Sequence, residues 1–267
     1  MQKIGINLHA IKGLTDEEYI EKIAKLGFNS IFTSLYDLDR HIKIAKVCEH
    51  YSISYDFIHA PFDNINEIWL QGANGDAVLS ELIRSVDIAA QIGVPYIIVH
   101  LSSGEKAPAP TDIGRDRFFS LVKHAKEKNV LVAFENQRKI YNIAWALETF
   151  CEKVSGFCWD VGHESCFTPG REYMKLFGDR IICTHIHDNS GVYDMDEHLI
   201  PFDGNINFYN IADTLVKNNF NGTLMLEVFT ENSNKYNDYT PDKFLMRAAN
   251  AANRLAKMVE EKRNYMR

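Results

Sequence analysis

The feature that most constrains the fold is an alternation, repeated eight times, of short apolar or β-branched runs with longer segments of helical spacing. The run at 94–101 is nearly all apolar, as expected of a strand buried on both faces of a parallel sheet. The predicted strands are residues 3–8, 28–34, 53–59, 94–101, 130–136, 156–162, 180–188 and 222–229. The first predicted helix begins at Thr15. The other seven cover roughly 38–51, 75–92, 112–128, 142–153, 171–178, 207–219 and 241–263. Such alternation implies βαβ crossovers and a parallel sheet.

Eight strand–helix units in 267 residues predict an α/β chain with one domain over residues 1–267, a single (β/α)8 TIM barrel. An open doubly wound sheet is the alternative. It is disfavoured because the segment INLHAIKG after the first strand lacks the GxGxxG phosphate-binding pattern. The longest stretch without helical spacing is 188–206, and a loop of that length in a compact domain is usually functional.

Composition excludes several classes of protein. The formal charge of −7 disfavours a dedicated nucleic-acid or anionic-membrane binder. No apolar run approaches the length of a membrane span, and the first residues lack the apolar core of a signal peptide. Five cysteines without a CxxC pair fit a reduced, cytoplasmic protein better than a disulfide framework.

Seven of the ten histidines fall at or just after the predicted carboxyl ends of strands, where the active site of such a barrel lies. They are His9, His59, His100, His163, His185, His187 and His198. The carboxylates Glu135, Asp160 and Glu227 end the fifth, sixth and eighth strands, and Asp196 lies in the long seventh loop. For His9, a structural role and a substrate contact are equally compatible with the pattern.

A carboxylate at the end of an apolar strand is costly to bury unless it is paired or bound to a metal. Three of them in one pocket would repel one another, and a divalent cation with an imidazole ligand resolves that repulsion. Glu135, Asp160, His185 and Glu227 therefore predict a site for Mn²⁺, Zn²⁺, Mg²⁺ or Co²⁺. Further metal positions, or contacts with substrate hydroxyls, are predicted at His59, His100, His163, Asp196 and His198. His187 shares the inward face of its strand with His185 and is predicted to contact substrate or to orient a neighbour.

In their order, the motifs FEN (134–136), DVGH (160–163), HIHD (185–188), DEHLIPFDGNI (196–206) and the eighth-strand Glu227 resemble the xylose-isomerase-like TIM-barrel superfamily. The resemblance implies a sugar isomerase or epimerase, acting on a sugar, sugar phosphate or keto acid through an enediolate. It implies one divalent ion held by Glu135, Asp160, His185 and Glu227. It also implies that Glu135 and Glu227 move the proton and that His163 touches substrate.

The same superfamily contains endonuclease IV, whose three-zinc site has extra ligands at positions matching His59, His100, His163, Asp196 and His198. The alternative is therefore a zinc phosphodiesterase acting on abasic DNA, with up to three metals. A third class, a non-catalytic sugar-binding barrel, would bind ligand without metal.

The predicted rim carries six basic and thirteen acidic residues, so it lacks the electropositive groove that phosphates require. That distribution favours a small carbohydrate over nucleic acid. Trp69 is expected to pack against a sugar ring and Asn136 to bond its hydroxyls. The residue pattern leaves the sugar unspecified and allows a homo-oligomer.

Overall fold

The computed structural model describes residues 2–265, so residues 1, 266 and 267 of the predicted domain lie outside the described part. Eight parallel strands form the wall of a barrel. They are β1 (Ile4–Asn7), β2 (Ser30–Ser34), β3 (Ser54–His59), β4 (Tyr96–His100), β5 (Leu131–Glu135), β6 (Ser155–Asp160), β7 (Ile181–His185) and β8 (Leu224–Leu226). The prediction of a single TIM barrel is confirmed.

Helices cover the outside of the strands. They are α1 (Asp16–Lys25), α2 (Leu38–His50), α3 (Ala73–Ile92), α4 (Asp112–Glu127), α5 (Ile140–Thr149), α6 (Val161–Phe167), α7 (Tyr173–Phe177), α8 (Phe208–Lys217) and α9 (Pro241–Tyr265). Thr15 caps α1 through a capping box with Glu18, as the spacing of these two residues indicates. Within residues 2–265, no helix combines the length and hydropathy that a membrane span needs.

The sheet runs in sequence order from β7 back to β1 and then to β8. Closure between β7 and β8 comes from a parallel bridge of Ile186 with Leu226. The Ile186 N–H donates to Met225 O (2.8 Å), and the Glu227 N–H donates to Ile186 O (3.1 Å). The closing contacts therefore lie next to the residues predicted to form the metal site.

The sixth strand ends earlier than predicted. It was expected to run to Gly162, but it stops at Asp160, whose carboxylate accepts a hydrogen bond from the His163 N–H (2.6 Å) and caps α6. The Asp-x-x-His spacing is thus a helix N-terminus, and this short helix carries His163 towards the centre of the barrel.

An apolar layer fills the barrel beneath its carboxyl-terminal face. Its buried members are Phe32, Phe57, Ile98, Ala133, Cys158, Cys183 and Met225. The Phe32 and Phe57 rings stack at 4.7 Å, and the ring of His185 stacks on Phe32 at 4.9 Å. We call this layer the floor, because the polar residues described next rest on it.

Candidate metal centre at the carboxyl-terminal face

A cavity of about 520 Å³ opens at the carboxyl ends of the strands. Most of the predicted site residues line it, namely His59, His100, Glu135, His163, Asp196, His198 and Glu227. Asp160, His185 and His187 are fully buried next to these residues. Residues from six strand ends or following loops thus converge on one place.

The central cluster consists of Glu135, Asp160, His185 and Glu227. His185 Nδ1 lies 3.1 Å from a Glu135 oxygen, 3.2 Å from a Glu227 oxygen and 3.8 Å from an Asp160 oxygen. One ligand-competent atom from each residue lies within 4.8 Å of the other three. Three carboxylates and one imidazole form the mixed oxygen and nitrogen set that Mn²⁺, Zn²⁺ and Co²⁺ accept, so these residues fit a divalent cation.

The three buried carboxylates of the central cluster favour a positive charge among them. Burial alone would lower the pKa of His185, but the carboxylates of Glu227 and Glu135 outweigh it and raise the pKa to about 10. Burial would raise the pKa of Glu135, but His100 and His185 hold it well below its usual range. A divalent cation among these carboxylates would supply that positive charge and leave His185 as a neutral ligand.

A second cluster shares Glu135. The other oxygen of this carboxylate lies 2.8 Å from His100 Nε2 and 3.2 Å from His59 Nε2. The His59 Nδ1–H donates to the Ala60 carbonyl (2.8 Å), which leaves Nε2 free to act as a ligand. Burial lowers the pKa of His100 and outweighs the opposing effect of the nearby Glu135. Glu135 therefore lies between two candidate cation positions.

A third cluster contains His163, His187, Asp196 and His198. One Asp196 oxygen lies 3.1 Å from His198 Nε2 and 3.3 Å from His163 Nε2. The second Asp196 oxygen and His187 Nδ1 are buried and have no hydrogen-bond partner among residues 2–265. Burial opposes protonation of His198, but Asp196 and Glu227 raise its pKa to about 9. The set offers three imidazoles and one carboxylate to a cation or to substrate hydroxyls.

The long seventh loop brings Asp196 and His198 over the barrel. Asp188 pairs with Leu199 in an antiparallel bridge, and its carboxylate accepts hydrogen bonds from the N–H groups of Asn189, Gly204 and Ile206. The tip of the loop is held by an ion pair between Asp194 and Arg138. The loop is therefore closed at its base and attached to the fifth strand's loop at its tip.

His187 does not line the cavity. Its Nε2 lies 3.1 Å from an Asp160 oxygen, and its ring stacks on that of His198 at 3.9 Å. Of the two roles predicted for His187, this position favours orientation of a neighbour. His9 likewise lies outside the clusters, with Nε2 2.5 Å from Asp16 and 3.1 Å from Arg40.

Trp69 lies away from the cavity, contrary to expectation. Trp69 is the last residue of a 3₁₀ helix (Ile65–Trp69), which turns its side chain inward. The residue is 1% exposed. The indole N–H donates to Leu101 O (2.6 Å), and the ring packs against Phe118 and Trp145. Its large apolar surface is used for packing, and no face of the ring remains for a sugar.

Asn136 was expected to bond a substrate hydroxyl, but it does not line the cavity. Both polar atoms of its amide bond the backbone of Asp160, at 2.8 Å each, and the residue is fully buried. Because the residue is fully buried, the amide is not exposed to a substrate hydroxyl.

Gln137 and Asn7 are among the cavity residues that were not identified from the sequence. Gln137 Nε2 lies 3.0 Å from His163 Nδ1 and 3.2 Å from His100 Nε2, so it links two of the clusters. Asn7 ends β1, lines the cavity and bonds the backbone of Val228. Asn7 could have been identified from the sequence, because it is an amide at the end of an apolar strand, at the same edge of the barrel as the histidines.

Replacing Gly162 with alanine should displace His187. A Cβ at this position would lie 1.9 Å from His187 Cε1, so the ring must move away from Asp160. We expect Gly162→Ala to lower the free energy of unfolding by about 1–3 kcal/mol, the usual cost of overpacking, as measured by urea denaturation. In a His187→Ala background the same change should cost little, and an equal cost in both backgrounds would contradict this contact.

The fold and its buried carboxylate and imidazole clusters define a (β/α)8 barrel with a candidate metal centre. Residues 20–258 match the family model described as xylose isomerase-like TIM barrel, and the chain belongs to that family.

Several solved structures share the fold. D-psicose 3-epimerase from Clostridium cellulolyticum H10 has a TM-score of 0.78 at 13% identity, with 97% of this chain and 99% of that chain covered. The 3-keto-D-glucoside 4-epimerase from E. coli has a TM-score of 0.73 at 14% identity, with 96% and 100% covered. An L-ribulose 3-epimerase has a TM-score of 0.72 at 18% identity, with 100% and 98% covered. At these identities the likeness shows the fold.

Curated relatives include an uncharacterized protein of Sinorhizobium fredii, which is 30% identical over 164 residues. That match spans 55% of this chain and 51% of the relative, about half of its length. An uncharacterized protein of Methanocaldococcus jannaschii is 24% identical over 200 residues, covering 72% of this chain and 73% of the relative.

Proposed function

We propose that the protein is a divalent-metal-dependent sugar isomerase or epimerase, acting on a sugar, sugar phosphate or keto acid. The observation that carries this proposal is the central cluster, in which Glu135, Asp160, His185 and Glu227 meet at the base of a cavity. Epimerase activity in several proteins of the same fold, two of them sugar 3-epimerases, supports it.

Glu135 and Glu227 are the proposed proton-transfer groups. Both line the cavity, and an oxygen of each lies close to His185 Nδ1, at 3.1 and 3.2 Å. One glutamate removes the proton next to the substrate carbonyl, and the same or the other glutamate returns it. Return to a different carbon gives an isomerase, and return to the opposite face gives an epimerase. A cation held by the central cluster would supply a Lewis acid, which favours negative charge on the substrate oxygens.

The other cavity residues suit a polyol. His163 is the proposed contact for a substrate hydroxyl, because it lines the cavity; its Nε2 also contacts Asp196. The cavity is also lined by Arg138 and by neutral hydrogen-bonding side chains, namely Asn7, Thr33, Ser34, Ser103, Gln137 and Asn232. Aromatic rings add apolar faces at Phe62, Phe167 and Phe229. A few polar groups converging within apolar walls are the usual arrangement of a small-molecule site.

A second candidate is a zinc phosphodiesterase acting on abasic DNA. The observation that favours it is that His59, His100 and Glu135, and separately His163, Asp196 and His198, also form ligand-competent clusters. The acidic rim opposes it, since a DNA enzyme needs cations where the phosphates lie.

Metal analysis together with two activity assays separates these functions. The protein, purified without chelators, is analysed by mass spectrometry for metals and assayed with a panel of aldoses and ketoses and with an abasic duplex. We expect one Mn²⁺, Co²⁺ or Zn²⁺ per chain and turnover of a sugar. Three zinc ions with cleavage of the duplex would support the second candidate. Sugar binding that persists without metal, with no turnover, would contradict both and identify a binding protein.

A further inference from the structure

We propose that Asn7 and Asn136 are positioning residues that hold two acidic ligands by replacing the backbone hydrogen bonds of neighbouring strands. Each asparagine lies where a strand ends, and each bonds the backbone of the strand that carries an acidic residue of the central cluster. The inference rests on the proposed function, because it concerns the geometry of the proposed ligands.

Asn7 acts on β8. The backbone register between β1 and β8 ends at Ile6 with Leu226. The next carbonyl, that of Asn7, accepts a hydrogen bond from the Tyr19 hydroxyl (2.9 Å). The polar backbone groups of Val228 are bonded by the Asn7 side chain: Oδ1 accepts from the Val228 N–H (2.9 Å) and Nδ2 donates to its carbonyl (3.1 Å). The amide therefore continues the β1–β8 pairing by one residue.

Glu227 lies between the last paired residue, Leu226, and Val228. Its own N–H donates to the carbonyl of Ile186, the residue that follows β7. The backbone of β8 is thus tied on one side to β7 through Glu227 and on the other side to β1 through Asn7. Without the amide, the β1 side of this segment would lose its hydrogen bonds, and the Glu227 carboxylate would lose its fixed position.

Asn136 does the same for β6. The register between β5 and β6 ends at Glu135 with Cys158, two residues before Asp160. Asn136 Oδ1 accepts from the Asp160 N–H and Nδ2 donates to the Asp160 carbonyl, both at 2.8 Å. Since Asn136 immediately follows Glu135, one short segment supplies one acidic residue of the cluster and fixes the backbone of another.

An amide is the only short neutral side chain that both donates and accepts in this fork geometry. Asn7 is 2% exposed and Asn136 is fully buried, so both pairs of hydrogen bonds are formed away from water. Removing the amide would leave two buried backbone groups without partners, which the strand would relieve by moving. Groups that fix the ligands of a metal commonly change metal affinity by about 10–100-fold when removed.

The test compares Asn7→Leu and Asn136→Leu with the matched control Asn142→Leu. Asn142 is also a buried asparagine, but its amide faces the carbonyls of Leu101 and Pro108 at 3.5 Å rather than a strand with an acidic ligand. The readouts are thermal unfolding, Co²⁺ affinity and the Co²⁺ d–d absorption spectrum. Where a leucine variant does not fold, the serine variant at the same position replaces it.

We expect Asn7→Leu and Asn136→Leu to weaken Co²⁺ binding about tenfold or more and to change the spectrum. Asn142→Leu should leave Co²⁺ affinity and spectrum as in the wild type. Affinity within twofold of wild type in both test variants would overturn the inference. Wild-type protein that does not bind Co²⁺ would contradict the proposed function instead. If the wild type does not bind Co²⁺, crystal structures of the variants test the positioning role without metal. Displaced Glu227 and Asp160 carboxylates would support that role, and unmoved carboxylates would overturn it.

Discussion

Replacing Glu135 with glutamine should reduce turnover of the sugar substrate by roughly 10²–10⁴-fold, the usual contribution of a positioned acid–base group. The barrel should remain folded, because glutamine keeps the size and hydrogen-bonding capacity of the side chain. The expected effect is large since this one carboxylate faces two clusters. One oxygen lies 3.1 Å from His185 Nδ1, and the other lies 2.8 Å from His100 Nε2.

The loss should appear in kcat more than in KM if Glu135 moves the proton, since that interaction is made in the transition state. Steady-state kinetics on the sugar identified by the panel measures both constants, and circular dichroism checks the fold. Glu164→Gln is the matched control, because the Glu164 carboxylate accepts a hydrogen bond from the Trp159 indole (2.6 Å) and does not line the cavity. Near-normal turnover by Glu135→Gln would contradict the assignment of this residue.

Removing the divalent cation should abolish turnover and destabilise the protein. Glu135, Asp160 and Glu227 lie around one imidazole in a buried place, and a cation offsets their repulsion. A ligand present at 100 times its dissociation constant contributes about 2.7 kcal/mol to the free energy of unfolding. Dialysis against a chelator should therefore lower the unfolding temperature, and addition of Mn²⁺ or Co²⁺ should restore both stability and activity.

The matched variant for this experiment is Asp160→Asn, which removes one charge from the central cluster. Its unfolding temperature should respond much less to the chelator than that of the wild type, because it binds the cation more weakly. Calorimetry of both proteins, with and without chelator, measures the difference. Full activity in a sample shown by mass spectrometry to be free of metal would contradict the proposed mechanism.

The sequence allowed the fold to be predicted because each strand and helix has a strong local pattern. The apolar run at β4 and the capping box at Thr15 are examples of signals that depend on neighbouring residues only. The element ends were less certain. Asp160 reads equally well as the last residue of a strand and as a helix cap, and in the structure it is both.

Contacts across the barrel were harder to predict, because they depend on where the chain turns after each strand. Trp69 follows β3 at a rim position, but the 3₁₀ helix turns its ring inward against the carbonyl of Leu101. Asn7 and Val228 are 221 residues apart, and no local pattern connects them. The histidine and carboxylate positions were accessible because strand ends of a parallel barrel meet at one face.

The floor of stacked aromatic rings and thiols has a consequence for the shape of the ligand. Phe32, Cys158, Cys183 and Met225 fill the barrel below His185, so the cavity is open at one end only. A small molecule enters and leaves by the same opening. A polymer cannot thread through such a blind chamber and can offer it only a chain terminus or a single unit turned out of the chain.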